Sequence, residues 1–121
     1  MLAVDDNIDA LTSLGWLLRL YGCEVLETPS AHEALARAAE FAPHLAILDI
    51  GMPEMDGMTL ARRLRETMSD STPKLLALTG FGLNTDRQRA AQSGFDEFLV
   101  KPVDPERLEQ VIRKMRATVS L

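Results

Sequence analysis

Five side chains able to take part in phosphoryl chemistry stand at the ends of four apolar runs. Asp5 and Asp6 follow Met1–Val4, Asp49 follows Leu45–Leu48, Thr79 follows Leu75–Leu78, and Lys101 follows Phe98–Val100. Carboxylates can ligate a hard divalent cation, an ionised carboxylate can attack phosphorus, and a hydroxyl and an ammonium can hold phosphoryl oxygens. Asp49 closes the most apolar run and leads into Ile50-Gly-Met-Pro-Glu-Met-Asp-Gly57, a stretch whose two glycines and proline mark a turn. An acid leaving such a run is largely desolvated and needs a compensating charge. Asp5 and Asp6 alone would add like-charge repulsion, which a cation resolves. Mg²⁺ suits the set because it keeps several waters and uses only one or two carboxylates plus phosphate oxygens, and the Gly51 carbonyl could complete its octahedron. The cation and Lys101 would then neutralise an incoming phosphoryl group while Asp49 attacks in line. No general base is needed, since the nucleophile is already ionised.

For these residues to meet, the elements carrying them must open on one edge. Apolar β-rich runs alternate with helical periodicity, the sequence form of repeated βα units. Strands are expected at 1–5, 23–27, 44–49, 74–79 and 95–100. The interiors of the third and fourth are continuously apolar, as in parallel strands covered by helices on both faces. In such a sheet the strand C-termini form one site edge.

The first helix places Ile8, Leu11, Leu14, Leu17, Leu18 and Tyr21 on its inward stripe, with Trp16 packing beside it, and ends at Gly22, which can take the left-handed conformation. The second opens on the capping box Ser30-Ala-His-Glu33, turns Ala31, Ala34, Leu35, Ala38 and Phe41 inward, and stops at Pro43. His32 and His44 read as solvated surface histidines, because no second ligand is spaced to join them. A third helix near 58–68 buries Leu60, Ala61 and Leu64 and shows Arg62, Arg63, Arg65 and Glu66 to solvent. A polar fourth helix is expected from 84 to Gly94, with little apolar anchoring beyond Ala90 and Ala91, which makes it a candidate for movement. The last opens at Asp104-Pro105-Glu106, N-cap, proline at N1 and an acid in the first turn, and packs Leu108, Val111, Ile112 and Met115.

The 121 residues suit one domain over 1–121. With 46% hydrophobic and 26% charged residues, disorder is excluded. Eighteen acids against thirteen bases, net −5, argue against direct nucleic-acid binding across the domain. The single Cys23 excludes a disulfide framework and reads as a buried, inert thiol. No apolar stretch is long enough to span a bilayer and no signal-like core opens the chain, so a cytoplasmic, membrane-free protein is expected.

Together, Val4-Asp-Asp-Asn7, Ile47-Leu-Asp-Ile-Gly-Met-Pro53, Met55-Asp-Gly57, Ala77-Leu-Thr-Gly80 and Val100-Lys-Pro102 resemble the receiver domains of two-component response regulators, over nearly the whole chain. The resemblance implies a flavodoxin-like α/β fold, (βα)5, with a doubly wound parallel five-stranded sheet of order 2-1-3-4-5. It implies Asp49 as phosphoacceptor, Asp6 as a direct Mg²⁺ ligand, Asp5 as a ligand through water, and Gly51 as the carbonyl ligand. Thr79 would be the switch hydroxyl, Lys101 the phosphoryl-binding lysine, and Phe98 the switch aromatic whose inward rotation accompanies Thr79.

On the same basis the phosphodonor is a histidine kinase or histidine phosphotransfer protein, docking near Asp9, Ala10, Ser13, Pro102 and Val103. The output partner meets the face built from the fourth helix, fifth strand and last helix, which also allows a homodimer. The result is a self-phosphorylating and autodephosphorylating switch in a phosphorelay rather than a turnover enzyme. Gly51 and Phe81 depart from residues common at those positions and leave the phosphoryl lifetime open. The chain could be a stand-alone single-domain regulator or the receiver piece of a hybrid histidine kinase or larger regulator; the phrasing around Ala77–Gly82 and Gly94–Asp104, with the short first strand, favours the hybrid kinase.

Three other readings compete. A haloacid-dehalogenase-type phosphatase shares the strand-end aspartate and Mg²⁺ but needs a second acid where Gly51 stands. A dinucleotide-binding domain needs a glycine-rich loop after the first strand, which is lacking. A pseudo-receiver that folds alike and is never phosphorylated is opposed by the intact Asp5, Asp6, Asp49, Thr79 and Lys101.

Overall fold

The protein is described here from a computed structural model, which describes residues 1–50, 55, 57–68, 73–79 and 94–118. In chain order the elements are β1 (Leu2–Val4), α1 (Ile8–Leu20), β2 (Leu26–Thr28), α2 (Ala31–Phe41), β3 (Leu45–Asp49), α3 (Gly57–Met68), β4 (Lys74–Thr79), β5 (Glu97–Val100) and the last helix, here α4 (Pro105–Thr118). The strands form one parallel sheet in the order β2-β1-β3-β4-β5, the flavodoxin-like arrangement. Of the helix expected from 84 to Gly94, only Gly94 is described, with φ of +90° in the left-handed region.

The continuous apolar strands are explained by alternation across two buried faces. Leu2, Val4, Ala46, Leu48, Leu75 and Ala77 point into a core with Ala31, Ala34 and Ala38 of α2 and Met58, Leu60, Ala61 and Leu64 of α3. Their neighbours Ala3, Leu45, Ile47, Leu76, Leu78 and Leu99 point the other way, against Leu11, Leu14 and Leu18 of α1 and Leu108, Val111, Ile112 and Met115 of α4. A parallel strand between two helical layers has no solvent face, so no polar residue interrupts it until its C-terminal end.

Local signals set the helix ends. Ser30 accepts the Glu33 N–H at 3.0 Å, and Asp104 accepts the Glu106 N–H at 3.1 Å. Gly22, with φ of +85°, closes α1 in the left-handed region.

Four local expectations are corrected. The periodicity puts Ile8 on the inward stripe of α1, but as the first helical residue, ahead of the buried face that starts at Leu11, it is 58% exposed. Trp16, expected to pack, is 65% exposed; the buried face of α1 is carried by Leu11, Leu14, Gly15 and Leu18, and Trp16 falls outside it. The second strand runs over 26–28 rather than 23–27, since pairing to β1 starts with Leu2 opposite Leu26. Cys23 therefore precedes the strand, is half-buried, and has the Arg116 guanidinium 3.9 Å from its sulfur.

Candidate functional site

Sheet register, rather than proximity in sequence, assembles the site. Val4 pairs with Leu48, so the next residues on each strand, Asp5 and Asp49, leave the sheet side by side. Asp49 pairs with Leu78, and Thr79 pairs with Val100. Thr79 thus ends β4 beside the strand that delivers Lys101, whose N–H donates to the Thr79 carbonyl at 2.7 Å. All five expected residues lie at the C-terminal edge.

Asp5 and Asp49 are 2% and 7% exposed, whereas Asp6 is open to solvent. One carboxylate oxygen from each of the three lies within 4.8 Å of the others. Three acids this close, two of them buried, form a donor set of the hard-oxygen kind that Mg²⁺ takes, with one open side for water or phosphate. The residues present therefore fit a divalent cation. Gly51, expected to add its carbonyl, lies outside the described residues.

Lys101 reaches into this cluster from β5. Its Nζ donates to Asp5 Oδ2 at 3.1 Å and forms an ion pair with Asp49 Oδ2 at 3.4 Å. Burial works to lower the Lys101 pKa, but the hydrogen bond to Asp5 and the charges of Asp49 and Asp5 outweigh it, so the ammonium is held above its ordinary 10.5. The lysine is a permanent cation at any physiological pH. Even so, one ammonium among three carboxylates leaves the pocket negative.

Asp5 is fixed from three sides. Its Oδ1 accepts the Asn7 N–H at 3.0 Å, its Oδ2 accepts Lys101, and its own N–H donates to the Thr28 carbonyl at 3.3 Å. Two of these supports carried no role in the sequence reading. Asn7 also caps α1, accepting the Ala10 N–H at 3.1 Å, and an Asn just before an apolar-periodic run was the signal for it. Thr28 is fully buried, its hydroxyl 3.4 Å from the Ala3 carbonyl that accepts from it. Ending the second strand at 27 hid it.

Phe98 lies within β5 opposite Ala77, half-buried and packed against the α2–α3 core. Thr79 is buried. The predicted pairing of these two as a switch involves the segment after Thr79, which is outside the described residues.

A doubly wound parallel sheet that gathers buried acids and a lysine at its C-terminal edge defines a class of α/β domain with its candidate site at that edge. Comparison with known proteins makes the class specific. The sequence model of the response regulator receiver domain matches residues 1–113, and the chain belongs to that family.

An uncharacterized 14.6 kDa protein from the sodA1 3′ region of Leptolyngbya boryana is 40% identical over 114 residues, covering 94% of this chain and 87% of that one. The transcriptional regulatory protein PrrA of Mycobacterium tuberculosis is 39% identical over 102 residues, 84% of this chain but 43% of its own length. The chain thus spans less than half of such regulators. Among solved structures, the Vibrio cholerae chemotaxis protein CheY4 superposes with a TM-score of 0.88 at 30% identity, covering 94% of this chain and 95% of that one. The receiver domain of the Pseudomonas aeruginosa sensor histidine kinase PA1611, solved with magnesium coordinated in its active-site cleft, superposes at 0.86 with 25% identity, covering 97% and 96%.

Proposed function

We propose that this domain accepts a phosphoryl group on Asp49 in a two-component phosphorelay and changes conformation as a result. The observation that carries the reading is the convergence of Asp5, Asp6, Asp49 and Lys101 at one sheet edge, with Lys101 bridging Asp5 and Asp49. In the reaction an Asp49 oxygen attacks the phosphorus of a phosphohistidine, the P–N bond breaks, and the imidazole nitrogen leaves with the electron pair. The product is an aspartyl phosphate on Asp49 and a free histidine on the donor.

Asp6 directly, Asp5 through water, Asp49 and the Gly51 carbonyl would hold Mg²⁺, whose contribution is positive charge against the phosphoryl oxygens. Lys101 holds one of those oxygens and is spared the cost of protonation, because it is cationic throughout. Thr79, at the end of the strand next to β3, donates its hydroxyl to a second oxygen once the group has transferred, and Phe98 follows by turning inward. The outcome is a population shift between two states, read on the face that includes β5 and α4.

The donor is a histidine kinase or histidine phosphotransfer protein, and the setting is cytoplasmic. No described helix is long and apolar enough to cross a membrane. The 1–121 segment acts as one receiver module. Incubation with Mg²⁺ and phosphoramidate, followed by intact-mass measurement, tests the assignment: a single phosphoryl adduct should form on the wild type and be lost in Asp49→Asn. A wild type that stays unmodified is the behaviour of a pseudo-receiver and sinks the proposal.

A further inference from the structure

The residue that begins α3 is held against the nucleophile's backbone more tightly than any side chain permits. Gly57 is buried, and its N–H donates to the Ile50 carbonyl at 3.1 Å. A Cβ built on Gly57 would lie 2.6 Å from the Asp49 carbonyl oxygen, 2.9 Å from Ile50 Cα and 3.0 Å from the Asp49 carbonyl carbon. Its φ lies outside the left-handed region. The requirement for glycine is therefore space, not torsion. The atoms it would meet are all backbone, so no rotamer change relieves the contact.

Something would have to move, and the packing decides what. α3 is clamped by Met58, Leu60, Ala61 and Leu64, all in the core. β3 is clamped through Asp49 opposite Leu78 and by the Ile50 N–H donating to the Leu78 carbonyl at 3.0 Å. The contact falls on the peptide joining Asp49 to Ile50, whose own N–H is the one Leu78 holds, so relieving the collision pulls on the end of β3. Any shift of that peptide moves the backbone that carries the Asp49 carboxylate, whose Oδ2 stands 3.4 Å from Lys101 Nζ.

We propose that Gly57 is a positioning residue for the reaction: its missing side chain lets the start of α3 rest on the Asp49–Ile50 peptide and so fixes the direction in which the Asp49 carboxylate leaves the sheet. The proposal rests on Asp49 being the phosphoacceptor. Its consequence is kinetic, because an in-line attack loses rate steeply when the nucleophile is misplaced by a fraction of an ångström to an ångström. Its cost to the fold is smaller, since alanine is the better helix former and partly offsets the collision.

The test compares wild type, Gly57→Ala and Gly15→Ala. Gly15, on α1, is equally crowded, with a Cβ there 2.6 Å from Glu27 Oε2, but its neighbour is a movable side chain away from the site. In metal-free protein, the amide resonances of Asp49 and Ile50 should shift in Gly57→Ala while those of Leu2–Val4 stay in place. With saturating Mg²⁺ and phosphoramidate, phosphorylation of Gly57→Ala should slow by about tenfold or more, and Gly15→Ala should react like wild type.

Wild-type uptake with an equally fast Gly57→Ala, or unmoved Asp49 and Ile50 resonances, overturns the proposal alone. A wild type that takes up no phosphoryl group overturns the phosphoacceptor reading and the kinetic role of Gly57 with it. If Gly57→Ala is unfolded in buffer, the measurements are made in trimethylamine N-oxide, which favours the compact state. Failure to fold there shows that the glycine serves the fold rather than the nucleophile, and also overturns it.

Discussion

Replacing Asp49 by Asn should stabilise the metal-free domain, although it removes an ion pair. The opposing terms can be set from the distances. Asp49 and Lys101 are 3.4 Å apart, which at an effective dielectric constant of about 20 amounts to about 5 kcal/mol of attraction. Asp49 also faces Asp5 and Asp6 with oxygens within 4.8 Å, so each repulsion is at least about 3.5 kcal/mol on the same scale and the two sum to about 7. Repulsion exceeds attraction by about 2 kcal/mol, and screening around the exposed Asp6 reduces the difference to about 1–2 kcal/mol.

The neutral amide also escapes the desolvation that a carboxylate pays at 7% exposure. Urea unfolding in chelator at low ionic strength should therefore show Asp49→Asn more stable by about 1–2 kcal/mol, with a melting temperature higher by about 4–8 °C. Added salt should shrink the gap. At a Mg²⁺ concentration one hundred times its Kd, the wild type gains about 2.7 kcal/mol and overtakes the variant, which lacks one of the three clustered carboxylates. A variant less stable than wild type in chelator by a kilocalorie per mole or more would refute the charge balance, showing that the Lys101 pairs dominate the pocket.

Lys101→Met should destabilise the metal-free domain by about 1–3 kcal/mol, because two buried carboxylates lose their cation, with the value reduced from that of a sealed pair by the pocket's open side. Since the folded-state pKa of Lys101 is raised above 10.5, its stabilisation is fully present from neutral pH up to that value and lost as pH rises through the folded value; denaturant curves of wild type and variant should stay parallel from about neutral pH to 10.5 and converge above it. Asn7→Ala should cost about 1 kcal/mol by urea unfolding, from the lost cap on Ala10, and should leave the Asn7 N–H to Asp5 hydrogen bond available to the backbone, so that Mg²⁺ affinity by calorimetry falls far less than in an Asp5→Asn variant.

Much of this molecule was written where chemistry forces a residue type. Continuous runs such as Leu45–Leu48 and Leu75–Leu78 announce strands buried on both faces, and the first polar residue after each run is a site residue because only there does a strand reach the open edge. Helix ends were legible for the same reason: Ser30, Gly22 and Asp104 each satisfy or release backbone groups that have few other solutions. The misreadings fall where tertiary register decides. Cys23-Glu24-Val25 carries the apolar-polar alternation of a strand, yet the sheet begins at Leu26 because β1 pairs from Leu2. Ile8 and Trp16 match or adjoin the periodicity of α1, but neither lies on the face that Leu11, Leu14, Gly15 and Leu18 bury against the sheet. Thr28 could not be read as a support of the site from sequence, since it acts through the backbone of Ala3 and Asp5, distant in the chain.

The central claim is that Asp49 is the atom-level destination of the phosphoryl group. The most direct measurement is to phosphorylate the wild-type protein with Mg²⁺ and phosphoramidate, reduce it with borohydride, and map the peptides, since reduction converts an aspartyl phosphate to homoserine at the modified position. Homoserine should appear at position 49, with Asp5, Asp6 and every other acid unchanged. Homoserine at another aspartate, or none in protein that binds Mg²⁺ normally, would contradict the account.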